Sequence, residues 1–356
     1  MPYANNQGMK IYYEVEGNGP ALILLHGSPQ DLLHWREFGW TDQLRQDYQL
    51  ILIDIRGHGA SDKPYDEQAY QLELLAQDVL TVLDKLSIRK AHCCGYSYGG
   101  WICFQLAKFA PERFHSFVII GSHPYGMPGD GEGARQAFGA GMEIFLEHSK
   151  SPGLLMTPHF KAQKLADDPE AFIANWTHDY PSSEDVLPTM TMPCFVCVGE
   201  GGDCYDEAKK CAEHLPNGRF RSFPRLAHGQ MLRYSSQVVP HVKEFLDEVT
   251  PKAERNRVVI DRVVQALNRG NFLVLDEFYT LDWVSLLPTT NSASKGIREL
   301  VDEVFNIFRD AEVVLNDVSA ENDQVTTNWT FKGTHTGECI GISPTNAQSK
   351  NKWCDG

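Results

Sequence analysis

The chain has 356 residues, 42% hydrophobic and 22% charged, with a formal net charge of −15. That length suits two domains that can each bury a core, and such proportions exclude whole-chain disorder, collagen and coiled coil. The acidic balance repels phosphate backbones and anionic bilayers, so neither nucleic acid nor membrane is an expected partner.

Residues 8–16 and Ala21–Leu25 read as strands around Gly17-Asn18-Gly19-Pro20, which suggests a hairpin. Ala21–Leu25 and Leu50–Ile53 are unbroken apolar runs, the pattern of strands covered on both faces of a parallel sheet. Leu72, Leu75, Val79, Val82, Leu83 and Leu86 are at helical spacing. A short strand over 91–94 enters Gly95-Tyr96-Ser97-Tyr98-Gly99-Gly100, and a helix follows that ends before Pro111. Phe117–Ile120 and Cys194–Val198 read as further strands, and 236–249 as a closing helix. This alternation implies an α/β fold with a mostly parallel sheet. Between 122 and 192 it stops: helices are expected over 134–150 and 161–178, as a cap above the sheet. Phe160, Phe172 and Trp176 there either line an apolar pocket or pack the cap on the sheet.

The first domain is placed at 1–250, a polar linker broken by Pro251 at 251–257, a second α+β domain at 258–346, and a disordered polar tail at 347–356. Helices are expected over 258–268 and 295–309, then a hairpin within Ala311–Phe331. No apolar run approaches the about 18 residues of a membrane span, and Met-Pro-Tyr-Ala-Asn-Asn carries no signal pattern, so a cytoplasmic location is expected. The nine scattered cysteines read as free thiols. In Cys194-Phe195-Val196-Cys197 the two sulfurs would point to opposite faces of a strand and could not share a metal.

The chemistry centres on Gly95–Gly99. A serine on a sharp strand-to-helix turn exposes its Oγ, and the flanking positions must lack a Cβ. Ser97 is therefore the candidate nucleophile. His228, in a loop before the last helix of the domain, is the candidate base. Asp203, after the strand 194–198, is the candidate orienting acid, with Glu200 and Asp206 as rivals. The main-chain N–H groups of Tyr98 and Ser28 are candidates for an oxyanion hole. No metal or organic cofactor is called for.

These pieces together resemble the α/β-hydrolase superfamily. The resemblance covers residues 8–249 and rests on His26-Gly27-Ser28-Pro29-Gln30, on Asp54-Ile55-Arg56-Gly57-His58-Gly59-Ala60-Ser61-Asp62-Lys63-Pro64, on the Gly95–Gly99 elbow, on the strand leading to Asp203 and on His228. The first two stretches are similar to the epoxide-hydrolase and dehalogenase branch. That branch uses an aspartate nucleophile where this chain has Ser97, which points to an acyl-enzyme. Relatives place the acid where this chain has Gly202, one residue before Asp203. The second domain resembles the SnoaL-like polyketide cyclases over 257–346, on Ala266–Phe272, Trp329–Gly333, Gly333–Glu338 and Gly341–Thr345. It reads as a truncated member, because the usual further strands are not found and Asp282-Trp283-Val284-Ser285-Leu286 replaces a frequent histidine. A binding role or homodimerisation through an open sheet edge is then expected in place of turnover. The activity implied is hydrolysis of an ester or thioester of a small, largely apolar molecule. Carbon–carbon bond hydrolysis or perhydrolysis would use the same residues, and a hydrophobic-ligand-binding protein with a relict triad is the non-enzymatic alternative.

Overall fold

A computed structural model describes residues 2–144, 157–275, 297–321, 324–338 and 342–355. The chain divides into two compact units, Met1–Thr250 and Pro251–Gly356.

The first unit is built on an eight-stranded sheet. Its strands are β1 (Tyr3–Asn6), β2 (Met9–Glu16), β3 (Ala21–Leu25), β4 (Gln49–Ile53), β5 (Ala91–Tyr96), β6 (Phe114–Ile120), β7 (Cys194–Gly199) and β8 (Gly218–Phe223). They lie in the order β1-β2-β4-β3-β5-β6-β7-β8. The pairs β1–β2 and β2–β4 are antiparallel, and every later pair is parallel. This corrects the hairpin expected around residues 17–20: β4 inserts between β2 and β3, so two strands adjacent in sequence never pair. A turn-rich connection marks where a strand ends, and says nothing of which strand lies beside it.

The unbroken apolar runs form the central strands because both faces of the sheet are covered. Ile23, Leu25 and Cys93 pack on one face with Leu75, Val79 and Val82 of helix Leu72–Lys85. Leu22, Leu24 and Cys94 pack on the other with Trp35, Trp40 and Val238. Cys194 and Cys197 fall in these two different halves of the core, as strand alternation requires.

Between β6 and β7 lie helices Gly131–Phe138, Pro158–Ala166 and Pro169–Thr177. The single helix expected over 161–178 is therefore two. Pro169 opens the second one, where its missing N–H costs nothing, and Asp168 caps it by accepting from the Glu170 N–H. The helix expected over 134–150 runs partly outside the described residues.

In the second unit, helix Lys252–Asn268 occupies most of the segment expected to be a linker. Pro251 reads as a break, but it stands just before the first turn, where proline suits a helix start. Helix Ile297–Ile307 precedes the antiparallel strands β9 (Glu312–Glu321) and β10 (Gln324–Thr334), as the periodicity suggested. The tail expected to be disordered instead forms β11 (Gln348–Asp355), antiparallel to Thr327–Thr334 of β10. Main-chain hydrogen bonds make such a strand without requiring apolar residues, which is why a polar sequence concealed it. Asp282–Leu286 lies outside the described residues.

Candidate active site

Ser97 stands between β5 and helix Tyr98–Phe109 with φ 51° and ψ −111°, left-handed backbone that a residue with a Cβ adopts only under constraint. The neighbouring glycines allow it. A Cβ on Gly95 would lie 2.3 Å from the carbonyl oxygen of Gly99, and one on Gly99 would lie 2.3 Å from that of Leu25. Two main-chain bonds pin the turn: Ser97 N–H donates to Ile120 O at 2.8 Å, and Gly99 N–H to His26 O at 3.1 Å.

The second bond draws the loop after β3 against the elbow. Gly27 permits the approach, since a Cβ there would sit 2.9 Å from the Tyr96 ring and 3.1 Å from the Ser97 Cβ. Loop 27–30 is closed on itself, with Gln30 N–H donating to Gly27 O at 2.9 Å and Gly27 N–H to Gln30 Oε1 at 3.3 Å. Ser28 and Tyr98, the sequence-derived oxyanion candidates, thus flank Ser97 from two segments tied together. No hydrogen bond from either main-chain N–H to an acceptor is found among the described residues.

His228 reaches Ser97 from the loop after β8. Its Nε2 lies 2.9 Å from the Ser97 Oγ. The Tyr96 hydroxyl donates to the His228 carbonyl at 3.1 Å, and the two rings lie 5.3 Å apart. Burial lowers the His228 pKa below its ordinary value, and the nearby Asp203 charge partly restores it. Such a ring is neutral, and able to accept a proton, over a wider pH range than a free histidine.

Asp203 does not take the position expected of it. It is exposed, and no hydrogen bond joins it to His228 among the described residues. Of its rivals, Glu200 accepts from the Ser222 hydroxyl at 2.8 Å, and Asp206 is exposed in the first turn of helix Tyr205–His214. A Cβ built on Gly202 would lie 3.4 Å from the main-chain nitrogen of His228, whereas one on Gly121, just after β6, would lie 3.0 Å from the imidazole Nδ1.

The Asp54–Pro64 stretch braces this site from below. The Asp54 carboxylate accepts from Leu32 N–H at 2.8 Å and Ala60 N–H at 2.7 Å, and burial raises its pKa to about 7. Arg56 forms a buried two-point pair with Asp78, at 2.9 and 2.7 Å, and Asn6 donates to the same carboxylate. His58 faces the Arg56 carbonyl with Nδ1 at 3.1 Å, so its Nε2 accepts from the Ser28 hydroxyl at 2.9 Å. That fixes Ser28 with its hydroxyl turned away to His58. Sequence reasoning missed His58 as a support; its only signal was membership in the motif.

The cap meets the elbow through Asn175. The Tyr98 hydroxyl donates to Asn175 Oδ1 at 2.9 Å, and Tyr180 donates to the same oxygen at 2.6 Å. Phe172 is fully buried edge-on to His58 at 5.3 Å, and Phe160 edge-on to His34 at 5.4 Å. Both pack cap against sheet domain. Trp176 is partly buried and packs on the cap cluster of Ala134, Phe138 and Phe172.

Residues 20–194 match the family model described as alpha/beta hydrolase fold, and residues 257–355 that of SnoaL-like polyketide cyclase. The chain carries an α/β-hydrolase domain and a SnoaL-like domain. Curated relatives of the hydrolase domain include Epoxide hydrolase 4 of Mus musculus, 32% identical over 125 residues, 33% of this chain and 33% of that protein. The pimeloyl-[acyl-carrier protein] methyl ester esterase of Aeromonas salmonicida is 38% identical over 123 residues, 34% of this chain and 45% of that protein. Each match spans less than half of the relative's length. A solved structure of an N-acyl homoserine lactone degrading enzyme is 27% identical with a TM-score of 0.56, covering 68% of this chain and 100% of that one. The relatives of the hydrolase domain are thus hydrolytic enzymes. Among the described residues, no helix is long and apolar enough to cross a membrane.

Proposed function

We propose that the α/β-hydrolase domain is a serine hydrolase that cleaves an ester or thioester of a small, largely apolar molecule through an acyl-enzyme. The observation that carries this reading is the 2.9 Å contact between His228 Nε2 and the Oγ of Ser97, at an elbow with φ 51°. In the mechanism, Ser97 Oγ attacks the carbonyl carbon as its proton passes to His228 Nε2. The N–H groups of Ser28 and Tyr98 receive the oxyanion. The imidazolium then protonates the departing alcohol or thiol, and water repeats the sequence in reverse to free the acid. Asp203 contributes by its charge, which favours the imidazolium. No resident metal or organic cofactor enters these steps, and Cys93, Cys94, Cys103, Cys194, Cys197, Cys204 and Cys211, all free thiols, suit a reducing cytoplasm.

A fluorophosphonate probe on the full chain tests the proposal. Ser97 should label and Ser97→Ala should not, and p-nitrophenyl esters of graded chain length, with one thioester, should be turned over only by the labelling form. Absence of labelling in the wild type would favour the non-catalytic ligand-binding reading, to which the detached Asp203 lends its main support.

A further inference from the structure

Asp31, His34 and His159 form a second cluster of chemically capable side chains. Asp31 and His34 follow the oxyanion loop and are 4% and 1% exposed. His159 reaches them from the cap helix Pro158–Ala166. Nδ1 of His34 lies 2.8 Å from Asp31 Oδ1, and Nε2 of His159 lies 3.2 Å from Oδ2 of the same carboxylate. One ligand atom from each residue can be chosen so that all lie within 4.8 Å of one another.

Hydrogen bonding alone leaves this cluster in conflict. The main-chain N–H of Asp31 also points at His34 Nδ1, at 3.2 Å. If Nδ1 accepts that hydrogen, its lone pair confronts a carboxylate oxygen at 2.8 Å. If Nδ1 carries a proton for the carboxylate, it confronts the N–H. Either tautomer leaves one contact mismatched, and the buried Nε2 of His34 has no partner. A cation between two imidazole nitrogens and the carboxylate turns opposed lone pairs into ligands.

We propose that Asp31, His34 and His159 bind one zinc-class divalent ion, which fastens the cap helix to the loop that carries Ser28. Two imidazoles and one carboxylate are a borderline donor set that suits zinc and its first-row neighbours, with a fourth position left for water. Calcium and magnesium prefer all-oxygen sets. The buried ammonium of Lys164, on the same helix, would oppose a cation were it alone, but it is paired with Asp167. None of the three ligands belongs to the proposed Ser97 machinery, so metal binding and ester hydrolysis can fail separately.

The test uses the full chain, stripped with a chelator and titrated with zinc against a chromophoric competitor, then with cobalt(II) read by visible absorption. One site is expected in the wild type, with affinity at least tenfold weaker in Asp31→Asn and in His159→Gln. Zinc should raise the Tm of the wild type and leave that of His159→Gln unmoved. The His159 side chain is 35% exposed, so His159→Gln should keep the fold, checked by its Tm in chelator. The proposal is overturned if the wild type takes up no zinc, if all three proteins bind it equally, or if cobalt shows thiolate charge-transfer bands that place the ion on cysteine.

Discussion

His228 presents Nε2 to the Ser97 Oγ at 2.9 Å, while its Nδ1 has no hydrogen-bond acceptor among the described residues. The nucleophile and the base are engaged, and the acid stands apart. Gly202→Asp would place a carboxyl group beside the main chain of His228, where the family resemblance puts the acid. Its Cβ would meet Gly199 O at 3.1 Å, which a shift of a few tenths of an ångström relieves. We expect kcat/KM on a p-nitrophenyl ester to rise about tenfold, below the about 10²–10⁴ that a fully placed acid–base group supplies, and Asp203→Asn to lower it only a few-fold. A loss of about 10⁴ in Asp203→Asn, as for a buried triad acid, would show that Asp203 reaches the ring during turnover.

The pH profile follows from the same ring. The base must be neutral, and burial depresses its pKa. Activity should therefore hold as pH falls through about 6.5, the ordinary histidine value, and decline only below it. Asp203 raises that pKa, so Asp203→Asn should move the acid limb further down. An acid limb at or above neutral pH would contradict the burial of His228.

Gly99→Ala tests the elbow as a packing device. The new methyl would meet the main-chain oxygen of Leu25, which belongs to a central strand and cannot turn aside. A cost of about 1–3 kcal/mol in urea denaturation is expected, together with loss of probe labelling at Ser97. Unchanged stability would mean that the close contact between β3 and the helix is not maintained.

The Arg56–Asp78 pair should behave as a buried ion pair does. Asp78→Ala strands the guanidinium and should cost about 3–5 kcal/mol. Arg56→Met combined with Asp78→Leu should recover most of that loss. If the double substitution is no more stable than Asp78→Ala, the pair acts chiefly through the Asn6 and Ala69 contacts that go with it.

The parts of this molecule that were legible in its sequence are those where local pattern and tertiary role coincide. The apolar runs at Ala21–Leu25 and Leu50–Ile53 are central strands because a strand covered on both faces has no use for alternation. The elbow could be read because its sterics allow few residues beside Ser97. Strand order could not be read, since β4 enters between β2 and β3 without a local sign. Pro169 falls inside one expected helix and Pro251 reads as a break, yet each stands at a helix start, a position that only the capping geometry discloses. The strand Gln348–Asp355 went unseen because its partner is main chain. The offset of Asp203 was visible as a one-residue departure, but its exposure was not. The meeting of Asp31 with His159 spans 128 positions, beyond any motif.

The bond from the Tyr98 hydroxyl to Asn175 joins the cap to the very residue whose main chain we assign to the developing negative charge. Any displacement of helix Pro169–Thr177 would therefore also release the side chain of that residue. A change made in the cap is thereby passed to the immediate neighbour of the nucleophile without any part of the sheet being touched.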